Sequence, residues 1–98
     1  MGILNIFRRR KTDDEAEAER RTALLRAGRI TDGSIFDVIT DEAGGITHVF
    51  YNYEINGVEY ESSQLLDTEQ RTRSTDYFPG ARVTVRFNPR QPGNSVVV

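Results

Sequence analysis

Residues 49–64 read VFYNYEINGVEYESSQ, two alternating runs of apolar and polar residues separated by Asn56-Gly57. Asn-Gly between such runs is a strong hairpin signal, because both residues tolerate the positive φ that a type I′ turn requires. A two-residue loop also sets the register: Ile55 faces Val58, Glu54 faces Glu59 and Tyr53 faces Tyr60. Side chains alternate along a strand. Val49, Tyr51, Tyr53, Ile55, Val58 and Tyr60 therefore share one face, which reads as a core face. Phe50, Asn52, Glu54, Glu59 and Glu61 share the other.

Upstream, RITDGSIFDVIT at 29–40 reads as a strand whose alternation fails once. Ile35 and Val38 both suit a core but lie three apart, and a bulge near Phe36-Asp37 reconciles them while bending the sheet. DEAGG at 41–45 reads as a flexible loop. Downstream, residues 65–80 are polar in the middle. Ser74 or Thr75 is placed to cap one short turn ending in Tyr77-Phe78 against the core, and Pro79-Gly80 turns the chain into the next strand. At 81–87, ARVTVRF alternates cleanly: Val83, Val85 and Phe87 point one way, Arg82, Thr84 and Arg86 the other. Residues 88–94 read as a turn rich in Pro and Gly, and SVVV at 95–98 as a last strand whose apolar side chains need a sheet partner.

The N-terminal third has a different grammar. In TDDEAEAERRTALLRA, residues 12–27, Thr12 with Glu15 three positions on is a capping box. Acids come first and Arg20, Arg21 and Arg26 follow, matching the helix dipole, and Gly28 is placed to stop the helix. Apolar residues concentrate in the last turn, so only that turn is expected to dock, and the charge run reads as a solvated face. The expected organisation is an apolar and basic segment 1–11, a charged helix 12–28 and a β domain 29–98. The fold class is mainly β: a small five-stranded barrel or strongly coiled antiparallel sheet preceded by an α-helix.

The 98 residues carry no cysteine, one histidine and a net charge of −2. Disulfides, thiolate chemistry and Cys- or His-built metal centres are excluded on composition. The charge is uneven: residues 1–29 sum to +3 and residues 30–98 to −5. An acidic body argues against nucleic acid as a partner of that body.

No stretch has the ~20 apolar residues that cross a bilayer, and the basic run follows the apolar residues, the reverse of a secretory signal. In MGILNIFRRRK, Ile3, Leu4, Ile6 and Phe7 sit at helical spacing before Arg8, Arg9, Arg10 and Lys11. An apolar wedge beside a polybasic patch is the chemistry of a contact with an anionic membrane surface. The competing reading is a segment packed on the domain or on a second subunit. Gly2 is no myristoylation site, since Ile6 occupies the position that needs Ser or Thr.

One pattern spans the body: Gly33-x-Ile35-x-x-Val38, Tyr51-x-Tyr53-x-Ile55-Asn56-Gly57-x-x-Tyr60, Phe78-Pro79-Gly80-x-x-Val83-x-Val85-x-Phe87-Asn88-Pro89, then Pro92 and Ser95. From about residue 28 to 98 the chain resembles the bacterial family called domain of unknown function 3592. The resemblance implies a small all-β, barrel-like domain of a kind many of whose members are appended to membrane-spanning helices. It implies no activity, cofactor or catalytic residue. This chain departs from that pattern in having no apolar span.

Each candidate for chemistry has a plainer competitor. Glu54 and Glu59, opposed across the hairpin, with Glu61 one step along, form either an acidic docking patch or a paired-carboxylate site. Arg82 and Arg86 on a neighbouring strand are expected to neutralise them, and a convex wall does not separate two carboxyl pKa values as acid–base catalysis requires. His48 lies on the outer parity with no nucleophile placed beside it. Tyr51, Tyr53 and Tyr60 lack the flanking cations of a base-stacking platform and read as core. Phe50, outward-facing, is either covered or a contact for a partner. The sequence therefore points to a module that is not an enzyme, takes no cofactor, and binds an unidentified protein through Phe50, Glu54, Glu59 and Glu61. It is expected in the cytoplasm, peripheral to the inner membrane through residues 1–11. The alternative is a homo-oligomer whose N-terminal helices pack together.

Overall fold

The computed structural model describes residues 13–98. Helix α1 (Asp13–Ala27) is followed by strands β1 (Arg29–Thr40), β2 (Ile46–Ile55) and β3 (Val58–Leu65). A single turn of helix, α2 (Thr68–Arg71), and a 3-10 turn (Ser74–Tyr77) lead to β4 (Arg82–Asn88) and β5 (Gln91–Val97). The strands form one sheet in the order β3-β2-β1-β4-β5, with antiparallel neighbours throughout. The two edge strands, β3 and β5, approach each other, so the sheet is a nearly closed barrel behind an N-terminal helix, as the alternation pattern requires. Residues 1–11 and the Thr12 cap lie outside the described residues.

The hairpin forms as its Asn-Gly dictates. Asn56 has φ +52° and Gly57 φ +81°, and Ile55↔Val58, Glu54↔Glu59 and Tyr53↔Tyr60 are opposed. The register of β1 on β2 slips between Ile35 and Asp37. This is the bulge, and it lets Ile35 and Val38 both reach the interior. Gly33 gives β1 its closest approach to its neighbours: a Cβ there would sit 2.7 Å from both Asn52 O and Val85 Cγ2. The interior holds Ile35, Val49, Tyr51, Tyr53, Leu66, Tyr77, Val85, Phe87 and Val97.

Four expectations need correction. Val58 is 53 % exposed instead of buried; it follows the turn on an edge strand, where no further strand covers it. The stretch 65–80 makes two turns, not one, and the capping side chain is Asp67. Its Oδ1 accepts from Gln70 N at 2.7 Å while Gln70 Oε1 accepts from Asp67 N. The 3-10 turn has no side-chain cap; Tyr77 is buried but Phe78 points out. The β4–β5 turn is short, with Asn88 opposite Gln91, so β5 begins four residues earlier than expected and contains Pro92. Asn88 Oδ1 accepts from Arg90 N and closes that turn. Finally, the 41–45 loop is held by Asp41, whose Oδ1 accepts from Ala43 N and Gly45 N.

Helix α1 corrects a fifth. It docks through its middle as well as its last turn. Arg20 Nη1 donates to Ser95 O on β5 (2.8 Å) and to Asn94 Oδ1 (2.9 Å), while Arg21 Nη2 donates to Leu65 O on β3 (2.7 Å). Two consecutive arginines thus strap the two edge strands together. Glu17 braces Arg20 at 2.9 Å; that hydrogen bond holds the Glu17 carboxyl below its ordinary pKa and raises that of Arg20. Leu24 and Val96 are buried outside the interior cluster. Val96 is opposite outward-facing Arg86, so the element covering it is α1, which lies on β5 and β4. Gly28 ends the helix without a positive φ. It is needed because a Cβ would meet Leu24 O at 2.5 Å and Phe87 O at 3.2 Å.

Beneath the arginine strap, side chains do the work of a missing ladder. Gln64 Oε1 accepts from Val97 N (2.8 Å), and Gln64 Nε2 and Gln70 Nε2 both donate to Val97 O. Tyr51 Oη and Ser95 Oγ lie 2.7 Å apart, and Tyr53 Oη donates to Pro92 O at 2.6 Å. The tyrosines are therefore core residues whose hydroxyls reach across to β5. Burial raises the Tyr53 and Tyr77 phenols above their ordinary pKa.

Candidate interaction surface

The outer faces of β1, β2 and β3 form one continuous surface whose rows follow from the register. At the end far from the hairpin turn, Ile39 pairs with His48 and His48 with Leu65. Next come Asp37, Phe50 and Ser63, then Ser34, Asn52 and Glu61; Glu54 opposite Glu59 completes the hairpin end. Phe36, extruded by the bulge, tilts against Phe50 with ring centroids 6.3 Å apart.

One end of this surface is apolar. Phe36, Ile39 and Leu65 are 46 %, 47 % and 48 % exposed, and Phe50 is half-buried beside them. The other end is acidic. Glu54, Glu59 and Glu61 are exposed, and among the described residues no ion pair joins them to Arg82 or Arg86. Arg82 lines the same shallow groove as Asp32, Glu54 and Glu59, while Arg86 donates to Gly28 O. The expected neutralisation of the glutamates by those two arginines is thus not made; β4 lies beyond β1, two strands from β2's glutamate. His48 sits in the apolar row with Nδ1 2.9 Å from Thr47 Oγ1, which donates to Ile39 O.

All four sequence-derived partner residues, Phe50, Glu54, Glu59 and Glu61, therefore share this face. Sequence reasoning missed Phe36, Ile39 and Leu65. Phe36 follows inward-facing Ile35, so alternation alone places it outside. Leu65 lies one residue past the run 49–64 that reads as the hairpin, and β3 extends to include it. The membrane-contact residues Ile3 to Lys11 lie outside the described residues.

Elsewhere the concavities are shallow. One is a groove of about 300 Å³ between α1 and the β4–β5 turn, lined by Ala23, Leu24, Ala27 and Pro89 together with Arg20, Asn88 and Asn94. The lowered carboxyl of Glu69 is explained by Arg73 on the next turn, 2.8 Å away. Among the described residues no three of His, Asp or Glu gather as a metal ion would need, and no helix is long and apolar enough to cross a membrane.

A family model described as a domain of unknown function, DUF3592, matches residues 26–98. The chain belongs to this family. The match begins at Arg26 in the last turn of α1 and covers all five strands of the DUF3592 domain. Most of α1, including the Arg20 and Arg21 strap, precedes the matched region. No curated protein and no solved structure matches the chain. The function of this DUF3592 domain must therefore be argued from its surface.

Proposed function

We propose that this DUF3592 domain is a non-enzymatic protein-interaction module that binds its partner on the outer face of β1, β2 and β3. The observation carrying the reading is the cluster of half-exposed Phe36, Ile39 and Leu65 around Phe50, on three adjacent strands. Isolated exposed apolar residues are ordinary, whereas a contiguous patch rimmed by charge is the usual form of a binding site. Glu54, Glu59 and Glu61 make the rim acidic and favour a partner with basic residues beside an apolar anchor. A photoreactive phenylalanine at position 36 of the full chain should give one discrete crosslinked species in cells, and the same group at Arg90 should not. An adduct of twice the chain mass would make the partner a second copy. Identical smears from both positions, or nothing from either, would refute the reading.

The segment MGILNIFRRRK favours a second element, attachment of the module to the cytoplasmic face of an anionic membrane. The full chain should co-sediment with anionic and not with neutral vesicles, and removing residues 1–11 should abolish this. Binding that survives the truncation would sink the idea.

A further inference from the structure

The outer face of β1, β2 and β3 sorts its chemistry by row, and the rows have a fixed spacing. Outward-facing residues recur at every second position, about 6.6 Å along a strand. The first row is Ile39, His48 and Leu65. The second is Phe50 and Ser63, with the bulged Phe36 against Phe50; Asp37 in this row turns its carboxylate back on Val38 N. Ser34, Asn52 and Glu61 form the third. Glu54 opposite Glu59 forms the fourth, and Asp32, one step beyond the Gly33–Tyr53 pair, extends it onto β1. Apolar contact is therefore offered by the first two rows and negative charge by the last two, with about 13 Å from Phe50 to Glu54.

The fourth row is unfavourable as it stands. Like charges directly opposite each other destabilise a sheet. Among the described residues Asp32, Glu54 and Glu59 have no hydrogen-bond or ion-pair partner, and all three line one groove of about 250 Å³ together with Arg82. A cation arriving there relieves a repulsion as well as gaining an attraction.

The face also constrains the form of its occupant. β1 and β2 are paired on both sides, and β3 turns its free edge toward β5. An extended segment lying over these side chains therefore finds no ladder for its backbone, whereas a helix satisfies its own. A helix presents its contacts as one stripe of side chains. Positions i, i+4, i+8 and i+11 lie on such a stripe at about 0, 6, 12 and 16 Å, in step with the four rows. The positive N-terminal end of the helix dipole belongs over the carboxylates.

We propose that the ligand of this face is a partner's amphipathic helix whose stripe is segregated end to end. Lys or Arg at i and i+4 lies over the glutamates, and large apolar residues at i+8 and i+11 lie over Phe36, Phe50, Ile39 and Leu65. The inference rests on the binding-face reading and adds to it the conformation and residue order of the ligand.

Two alanine-based synthetic peptides of identical composition test it, each carrying a fluorophore and titrated with the full chain by anisotropy. One has Arg at i and i+4 and Leu at i+8 and i+11. The other exchanges the residues at i+4 and i+8, so that charge and apolar bulk alternate. The segregated peptide should bind about tenfold more tightly, equivalent to ~1.4 kcal/mol. Glu54→Gln together with Glu59→Gln should weaken it about tenfold and remove most of its salt dependence, while the melting temperature stays level or rises because the opposed charges are gone. Phe36→Ala, at an exposed position, should weaken it as well without loss of fold. Equal affinities for the two peptides, or binding by neither, would overturn the proposal. So would an affinity for the segregated peptide that the double glutamine variant leaves unchanged. If position 36 still crosslinks to one species in cells after such a result, the partner reading stands and only the helical ligand falls.

Discussion

Gln64→Leu is expected to lower the melting temperature by about 10–20 °C, the shift that a loss of about 2–3 kcal/mol produces in a domain of this size. Gln64 is buried and contributes both a donor and an acceptor to Val97, a residue almost without exposure. Leucine has similar bulk but leaves the Val97 N–H buried with no acceptor, and an unsatisfied buried donor costs about 1–3 kcal/mol on its own. Gln70 loses one hydrogen-bond partner as well. Because the Gln64–Val97 contact stands where β3 and β5 fail to pair directly, the damage should concentrate at the seam. Hydrogen exchange of β5 amides should rise more than that of β2.

Gln64→Glu provides the sign test. An ionised carboxylate still accepts from Val97 N–H but cannot donate to Val97 O, and its burial raises its pKa in the folded state. Stability of that variant should be greatest when the carboxyl is protonated and should fall as pH rises from about 4 through the raised folded pKa. A melting temperature within 2 °C of the parent for Gln64→Leu would mean that water or Gln70 fully replaces the amide, and would remove the side-chain clasp from the account of barrel closure.

Gly33→Ala is the second large effect, expected to cost about 1–3 kcal/mol. The alanine Cβ would meet Asn52 O and Val85 Cγ2, both at 2.7 Å. Asn52 O belongs to the backbone of β2, which pairs with β1, so relief requires the two strands to separate. Gly93→Ala is the matched control: its Cβ would lie 3.7 Å from Tyr60 Cδ1, an ordinary contact, and should change stability by less than about 0.5 kcal/mol. Chemical denaturation of the two variants side by side decides the matter. Equal midpoints would show that β1 yields at Gly33 without strain, and that the glycine is not what lets the barrel coil.

Much of the fold could be read along the chain because its signals are local. Asn56-Gly57 sets a turn, the turn sets a register, and the register sets which side chains face inward. Ile35 and Val38, three apart on one strand, announced a bulge for the same reason. The chemistry of the two ends of the outer face was likewise present in order, in Phe50, Asn52 and Glu54.

What only the tertiary structure decided are pairings between residues far apart in sequence, which no periodicity records. Arg20 and Arg21 read as part of a solvated charge run, yet they bond carbonyls on the two edge strands, 75 and 44 positions away. Gln64 and Gln70 carry no local signal of their role, but a barrel that stops short of full closure leaves backbone groups of Val97 to be satisfied, and these two amides reach them. Phe36, Ile39 and Leu65 became a patch only when three strands lay side by side. Alternation tells which face a residue occupies. It does not tell what neighbouring strands bring to that face, because adjacency across a sheet is a property of the folded whole.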